Sequence, residues 1–218
     1  MSGWTVEHHR GPAGELHALE VPDDGTPRVW VLEATGPAVV LGSTQRDDVV
    51  DAEAASAAGV AVVRRRSGGG AVWVGPGDPH WVDVIVPRDH ELWTDDVGRA
   101  FLPIGRAWQA ALASLGIAGT HLHQDRLACG PLGGTVCFAG RGPGEVLLGE
   151  AKVVGISQRR TRAGARFQCA VPVEWDPAPL AALLRDRPAP EALARVGAGI
   201  GAAVSSDDLV EALVTALE

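Results

Sequence analysis

Apolar and polar positions change period several times along the chain, and each change predicts an element. Glu15 to Val21 and Arg28 to Thr35 alternate and are separated by Pro22-Asp23-Asp24-Gly25, which predicts a hairpin, with Ala38 to Gly42 as a third short strand. Asp47 to Ala58 breaks the alternation. Two acids at its start, alanine through its middle and Gly59 at its end predict a helix with a favourable N-terminal charge and a glycine C-cap. Val60 to Val63 then reads as a buried strand, and Ala71 to Val74 with Trp81 to Pro87 as a second hairpin turned by Gly75-Pro76-Gly77-Asp78.

The longest helical period runs from Asp95 to Leu115, with Val97, Phe101, Ile104, Trp108, Leu112 and Leu115 stepping by three and four and Gly116 ending it. Pro103 inside this run marks a kink or the true first turn. Beyond a glycine-rich segment, Glu145 to Leu148, Lys152 to Arg160 and Arg166 to Val173 predict consecutive antiparallel strands with turns at Gly149 and Ala163-Gly164. Pro177 to Arg185 and Ser206 to Leu217 predict terminal helices, the second capped by Ser206. Without a repeated strand-helix-strand unit, the pattern predicts an α+β domain: a mixed, largely antiparallel sheet with flanking helices, residues 1–218 forming one domain.

Composition narrows the function. The net charge of −8 in 218 residues argues against a nucleic-acid partner, and no apolar run approaches a membrane span. Met1 to Arg10 lacks the pattern of a secretory signal, so a cytoplasmic location is expected. Cys129, Cys137 and Cys169 are too few and too irregular for a disulfide framework, so reduced thiols are expected. His121-x-His123 with these cysteines matches no common zinc pattern, and no metal site is assigned. Positive charge is locally concentrated, in Arg64 to Arg66 and in Arg159, Arg160, Arg162 and Arg166, which suits a small anion or an acidic protein surface. Solvated strand edges are the competing reading.

Against eighteen arginines there is a single lysine, Lys152. An ammonium differs from a guanidinium where chemistry needs a compact, reorientable point charge, which makes Lys152 a candidate catalytic group. Arg64 to Val72, RRRSGGGAV, is a second candidate, because consecutive glycines after a strand can turn several N–H groups toward one anion.

These two stretches carry a resemblance. Leu41-Gly42-Ser43-Thr44-Gln45, followed by Val62-Val63-Arg64-Arg65-Arg66-Ser67-Gly68-Gly69-Gly70-Ala71-Val72, is similar to the N-terminal half of the lipoate-protein ligase and octanoyltransferase family, relatives of the biotin protein ligases. Glu145 and Lys152-Val153-Val154-Gly155-Ile156-Ser157-Gln158-Arg159-Arg160 resemble that family's lysine motif. The resemblance implies the biotin/lipoate ligase catalytic-domain fold and acyl chemistry. Lys152 would clamp the activated carboxyl, and Arg65, Ser67, Gly68, Gly69, Gly70, Ala71, Val72, Glu145, Gly155 and Ser157 would bind substrate. Val72, Val74 and Val154 would contribute to a narrow apolar tunnel for the acyl chain.

Two mechanisms share this site. A ligase would use ATP with magnesium and lipoic or octanoic acid to make an acyl-adenylate, then acylate a lysine of a lipoyl domain, in a 2-oxoacid dehydrogenase or the glycine cleavage H protein. The triple glycine favours it. An octanoyltransferase would need no cofactor and would carry the acyl group from octanoyl-acyl carrier protein on a Cys137 thioester; Cys137-Phe138 and Glu145 at their distances before Lys152 favour it. Cys129 and Cys169 are read as structural. Three departures stand out: Trp73-Val74-Gly75-Pro76-Gly77-Asp78 where many relatives carry His-Asp, Gly144-Glu145 where many ATP-dependent ligases carry Asn-Asp, and an expected lack of the accessory C-terminal domain of the larger ligases. The changed loop after Ala71 motivates a third reading, a non-catalytic protein that binds acyl groups or nucleotides.

Overall fold

The elements of the computed structural model follow the chain as β1 (Thr5–Gly11), α1 (Ala13–Ala18), β2 (Arg28–Ala34), β3 (Ala38–Leu41), α2 (Ala52–Ala57), β4 (Ala61–Arg64), β5 (Val72–Val74) and β6 (His80–Pro87). Then come α3 (Phe101–Ser114), β7 (Thr120–Leu122), β8 (Ala128–Cys129), β9 (Gly140–Arg141), β10 (Val146–Leu148), β11 (Ala151–Arg160), β12 (Gly164–Val171), α4 (Ala178–Leu183), α5 (Pro190–Ala194) and α6 (Ser206–Leu217). The structure describes residues 3–218; Met1 and Ser2, part of the stretch read for targeting signals, lie outside the described residues.

Seven strands make the larger sheet, in the order β1-β2-β6-β12-β11-β10-β7, and β4-β3-β5 make a smaller one. The large sheet is antiparallel from β2 to β7, with β1 parallel to β2 at its edge. One face packs on α3 and α6 through Val84, Val153, Val154, Phe167, Ile104, Trp108, Leu209 and Leu213, all at or below 1 % exposure. The other face packs on α1 and the small sheet through Leu16, Trp30, Val40 and Ile85. Beyond the small sheet, α2, α4 and α5 close a third cluster that includes Val39, Leu184 and Phe138. The expected α+β architecture with a mixed, largely antiparallel sheet is what the chain forms.

Several local expectations are corrected. Glu15 to Val21 is not a strand. Ala13, Leu16 and His17 are buried at helical spacing in α1, and the run is too short for alternation to tell one period from the other. The partner of β2 on that side is β1, a polar edge strand with little apolar signal. Ala71 to Val74 and Trp81 to Pro87 are joined by the expected turn, Gly75 bonding Asp78 at 2.7 Å, yet they enter different sheets. Asp47 to Ala58 divides into a 3-10 turn, Asp47–Val49, and α2, whose N-cap Asp51 accepts from the Ala54 N–H. The long helix starts at Phe101, so Pro103 lies in its first turn, where a missing N–H costs nothing. Ser205, not Ser206, caps α6.

The second arginine group disperses. Arg166 is fully buried against Asp83 at 2.6 Å and donates to the carbonyls of Leu16 and Leu19, holding the C-terminal end of α1. Arg160 donates to the carbonyl of Thr94, whereas Arg159 and Arg66 meet on one carboxylate, Glu20. No helix among the described residues is long and apolar enough to cross a membrane.

Candidate active site

The site forms where the lysine strand, the glycine loop and the segment around Cys137 converge. Between β10 and β11 the register shifts: Val146 faces Val154 and Leu147 faces Lys152, so Val153 is an extra residue, a β-bulge. A bulge re-aims the side chains beside it. Val153 and Val154 therefore both enter the core, and Lys152 turns away from it to lie along Gly155, where an added Cβ would sit 3.6 Å from the lysine Cδ. The outer side of the Lys152 backbone is clamped, its N–H donating to Val196 and its carbonyl accepting from Ala198.

Lys152 Nζ, 1 % exposed as a residue, donates to Glu145 Oε1 and to the carbonyl of Cys137, each at 2.7 Å. It also lies 5.6 Å from the centroid of the Phe138 ring. Glu145 is held independently by the N–H groups of Gly142 and Ile156. Lysine and carboxylate are thus fixed in one geometry under low dielectric, where a charge acts strongly on a reacting group.

The glycine loop is locked from below by Arg65. Its guanidinium, in a residue 2 % exposed, donates to the carbonyls of Val40, Gly68 and Gly70 and lies 3.9 Å from Cys137 Sγ. Gly69 has φ +101°, and a Cβ there would meet Arg65 Nη2 at 2.8 Å. Gly70 fits against the Val136–Cys137 backbone, where a Cβ would come within 2.5 Å. Ala71 N–H bonds to Thr135 and Cys137 N–H to Ala71, so the loop and the cysteine segment are stitched together. Ser67 Oγ donates to Gln168 and lies 2.9 Å from Ser157 Oγ.

Two cavities flank this junction. A cleft of 300 Å³, polar in that Glu145 and Lys152 stand in a wall otherwise formed largely by glycines and apolar side chains such as Phe101, Leu127 and Ile156, is also lined by Gly68, Gly69, Gly70 and Cys137. A narrow apolar cavity of 40 Å³ is lined by His17, Val72, Val74, Trp81, Cys137 and Phe138, among others. Gly155 lines the apolar cavity, while Ser157 and Cys137 line both. Of the residues expected in the tunnel, Val72 and Val74 line the cavity, whereas Val154 belongs to the core beneath α3, a consequence of the bulge. Ala71 is buried in the cluster closed by α2, α4 and α5.

Cys129, expected to be structural, is exposed and faces the polar cleft; Cys169 is buried, and burial pushes its thiol well above the usual range. The position of Asp78 is structural, accepting from the Val173 N–H at 2.9 Å. His17, Trp81 and Gln168 escaped the sequence reading. The alternation from Glu15 to Val21 masks the helix that carries His17, and nothing local marks the other two. Among the described residues no cluster of His, Cys, Asp or Glu could hold a metal ion, His121 and His123 included. Glu145 is the one carboxylate lining the polar cleft, and both its oxygens accept hydrogen bonds.

The fold is shared with solved structures. A lipoate protein ligase from T. acidophilum with bound lipoic acid superposes with a TM-score of 0.70 at 20 % identity, over 99 % of this chain and 84 % of that one. A lipoate-protein ligase A bound with ATP gives the same values. The biotin protein ligase from Aquifex aeolicus in complex with biotin and ATP gives 0.54 at 10 %, over 98 % and 68 %. Compared by sequence with curated proteins, the chain matches none. The family model of the lipoyl protein ligase A/B catalytic domain matches residues 15–218, nearly the whole chain, and the chain belongs to that family.

Proposed function

We propose that the protein activates a lipoyl or octanoyl group as the acyl-adenylate and transfers it to a lysine of a lipoyl domain. The observation that carries this reading is the junction itself: a buried ammonium, Lys152, at the wall of a polar cleft that meets a narrow apolar cavity under the glycine loop. The acyl chain occupies the apolar cavity, whose volume requires side-chain movement to seat eight carbons. The nucleotide occupies the polar cleft, and a magnesium ion bound with it would offset the charge of its phosphates. The ATP and lipoic acid bound by proteins of the same fold support this assignment.

In the first step the carboxylate attacks the α-phosphorus of ATP, an acyl–phosphate bond forms and pyrophosphate leaves. In the second, the acceptor amine attacks the acyl carbon, an amide forms, AMP leaves and the amine proton passes to solvent. In both, negative charge grows on oxygens near Lys152, which a preorganised ammonium stabilises more in the transition state than before it. Arg65 acts one layer back, holding the loop in shape through its carbonyls.

One observation favours a second reading. Cys137 lines both cavities, with its Sγ 3.9 Å from the Arg65 guanidinium, so its sulfur stands where an acyl group would pass from one to the other. On this reading the Cys137 sulfur attacks the acyl carbon of octanoyl-acyl carrier protein and the carrier thiol leaves; the acceptor amine then attacks the new thioester, the amide forms and the Cys137 thiol is released. Intact mass after incubation with octanoyl-acyl carrier protein, without ATP, separates the two. A hydroxylamine-labile octanoyl adduct, absent in Cys137→Ser, establishes the thioester route. Pyrophosphate release that requires lipoic acid and ATP together, unchanged in Cys137→Ser, establishes the adenylate route. Tight acyl or nucleotide binding with neither product points to a non-catalytic binding protein.

A further inference from the structure

A second small cavity, largely apolar, shares a wall with the acyl cavity. It measures 30 Å³ and is lined by Trp73, Trp175 and Leu180 among others, and Val72, Pro79 and Phe138 belong to the walls of both. Of the carboxylates that also line it, Glu174 and Asp176 are exposed, and Asp78 accepts from the Val173 N–H.

The Phe138 ring stands in the shared wall. It stacks on Trp175, with centroids 4.7 Å apart and planes 30° from parallel, and of the two cavities Trp175 lines the second. It also lies against Gly155, which lines the acyl cavity: a Cβ there would come within 3.5 Å of Phe138 Cε2 and 3.6 Å of Cζ. The ring therefore fills the space between a residue of one cavity and a residue of the other. It is held there. Phe138 is 3 % exposed, and Trp175 behind it donates its Nε1–H to the Leu193 carbonyl at 2.9 Å and rests on Gly197, where a Cβ would come within 2.3 Å of the indole. The short 3-10 turn Cys137–Ala139 thus gives Cys137 to the junction with the polar cleft and Phe138 to the wall between the apolar cavities.

Each methylene drawn from water into an apolar cavity tightens binding roughly four-fold. That gain ends where the chain meets a wall that does not yield, because a further methylene must displace packed side chains, which costs more than its transfer supplies. We propose that the Phe138 ring sets the upper limit of acyl chain length, closing the acyl cavity against the second cavity and excluding chains longer than the medium-chain class. This rests on the acyl reading of the apolar cavity and deepens it, by naming the residue that selects the substrate's length.

Isothermal titration of the full chain with hexanoic, octanoic, decanoic and dodecanoic acids tests the inference without requiring turnover. The wild type is expected to bind octanoic acid more tightly than hexanoic acid, and dodecanoic acid at least roughly ten-fold more weakly than octanoic acid. In Phe138→Ala, which joins the two cavities, dodecanoic acid is expected to bind at least as tightly as octanoic acid, with Phe138→Leu between the two. Val74→Ala enlarges the acyl cavity away from the shared wall and is expected to keep the wild-type limit. Circular dichroism confirms folding; if neither Phe138 variant folds, Val72→Ala, which thins the same wall, is read in their place and is expected to raise the affinity for dodecanoic acid. A wild type that binds dodecanoic acid as tightly as octanoic acid overturns the inference. So does a shared-wall variant that keeps the wild-type limit, or a Val74→Ala variant that relaxes it equally. Binding of none of the four acids by the wild type overturns the acyl reading of the cavity as well, which distinguishes the two failures.

Discussion

The ammonium of Lys152 and the carboxylate of Glu145 lie 2.7 Å apart with 2 % and 6 % of their side chains exposed, a buried ion pair at the wall of the polar cleft. Removing one member of such a pair strands the other. Lys152→Met is therefore expected to cost about 3–5 kcal/mol of stability. Adding Glu145→Gln removes the stranded charge, so the double variant recovers most of that loss without recovering activity. Urea unfolding of the wild type, the single and the double variant checks this; a single variant as stable as the wild type would show that the pair carries little.

Arg65 offers a test of how the glycine loop is held. Its fork reaches three backbone carbonyls, those of Val40, Gly68 and Gly70, which a lysine ammonium on a longer flexible stem does not match. Arg65→Lys is expected to keep the net charge yet lower both the melting temperature and the affinity for an acyl-adenylate analogue, the latter by roughly ten-fold for each carbonyl left unpaired in the loop. Unchanged affinity would mean that the charge alone matters.

Close approach of backbones makes two glycines sensitive for different reasons. At Gly42 a Cβ would lie 1.9 Å from the Gly69 carbonyl oxygen, so Gly42→Ala must push the loop off its strand. At Gly69 the obstacle is both φ +101° and the Arg65 guanidinium, so Gly69→Val is expected to abolish binding of an acyl-adenylate analogue. Calorimetry on both variants, with circular dichroism to confirm folding, checks the pair; full affinity in Gly69→Val would reduce the loop to a turn.

A pH dependence follows from His17. Its folded pKa of about 3 lies below the usual 6.5, chiefly through burial. Below pH 6.5 the unfolded chain binds a proton that the folded chain refuses, so this contribution is complete above 6.5 and is lost as pH falls toward 3. The slope reaches at most about 1.4 kcal/mol per pH unit. Urea unfolding at pH 7 and pH 4 is expected to show a larger acid loss in the wild type than in His17→Phe; equal losses would contradict it.

Much of the site was legible because motifs mark it. The glycine loop and the lysine strand mark Lys152, Glu145 and Gly68 to Gly70 as candidates in the sequence, and the structure brings these residues to one cleft. What escaped depends on long-range geometry. Strict alternation puts Lys152 and Val154 on one face, and only the extra residue at Val153 separates them; a bulge leaves no local signature in KVVG. The helix α1 was hidden by brevity, and with it His17. The fate of the arginines was equally invisible: Arg166 is a buried partner of Asp83 on a distant strand, whereas its sequence neighbours remain near the surface. Hairpin logic failed at Gly75 to Asp78 because the turn is real but its two strands join different sheets.

The central claim, that Lys152 stabilises the activated acyl group during transfer, is tested most directly by intact mass of a lipoyl domain incubated with the protein, lipoic acid and ATP, and separately with octanoyl-acyl carrier protein. Wild type and Lys152→Met/Glu145→Gln are compared, the second change equalising stability. The wild type is predicted to add one acyl mass to the acceptor lysine in one of the two mixtures, and the double variant to do so at less than a tenth of that rate. A double variant that retains more than a tenth of the rate, or a wild type that acylates in neither mixture, would contradict the account.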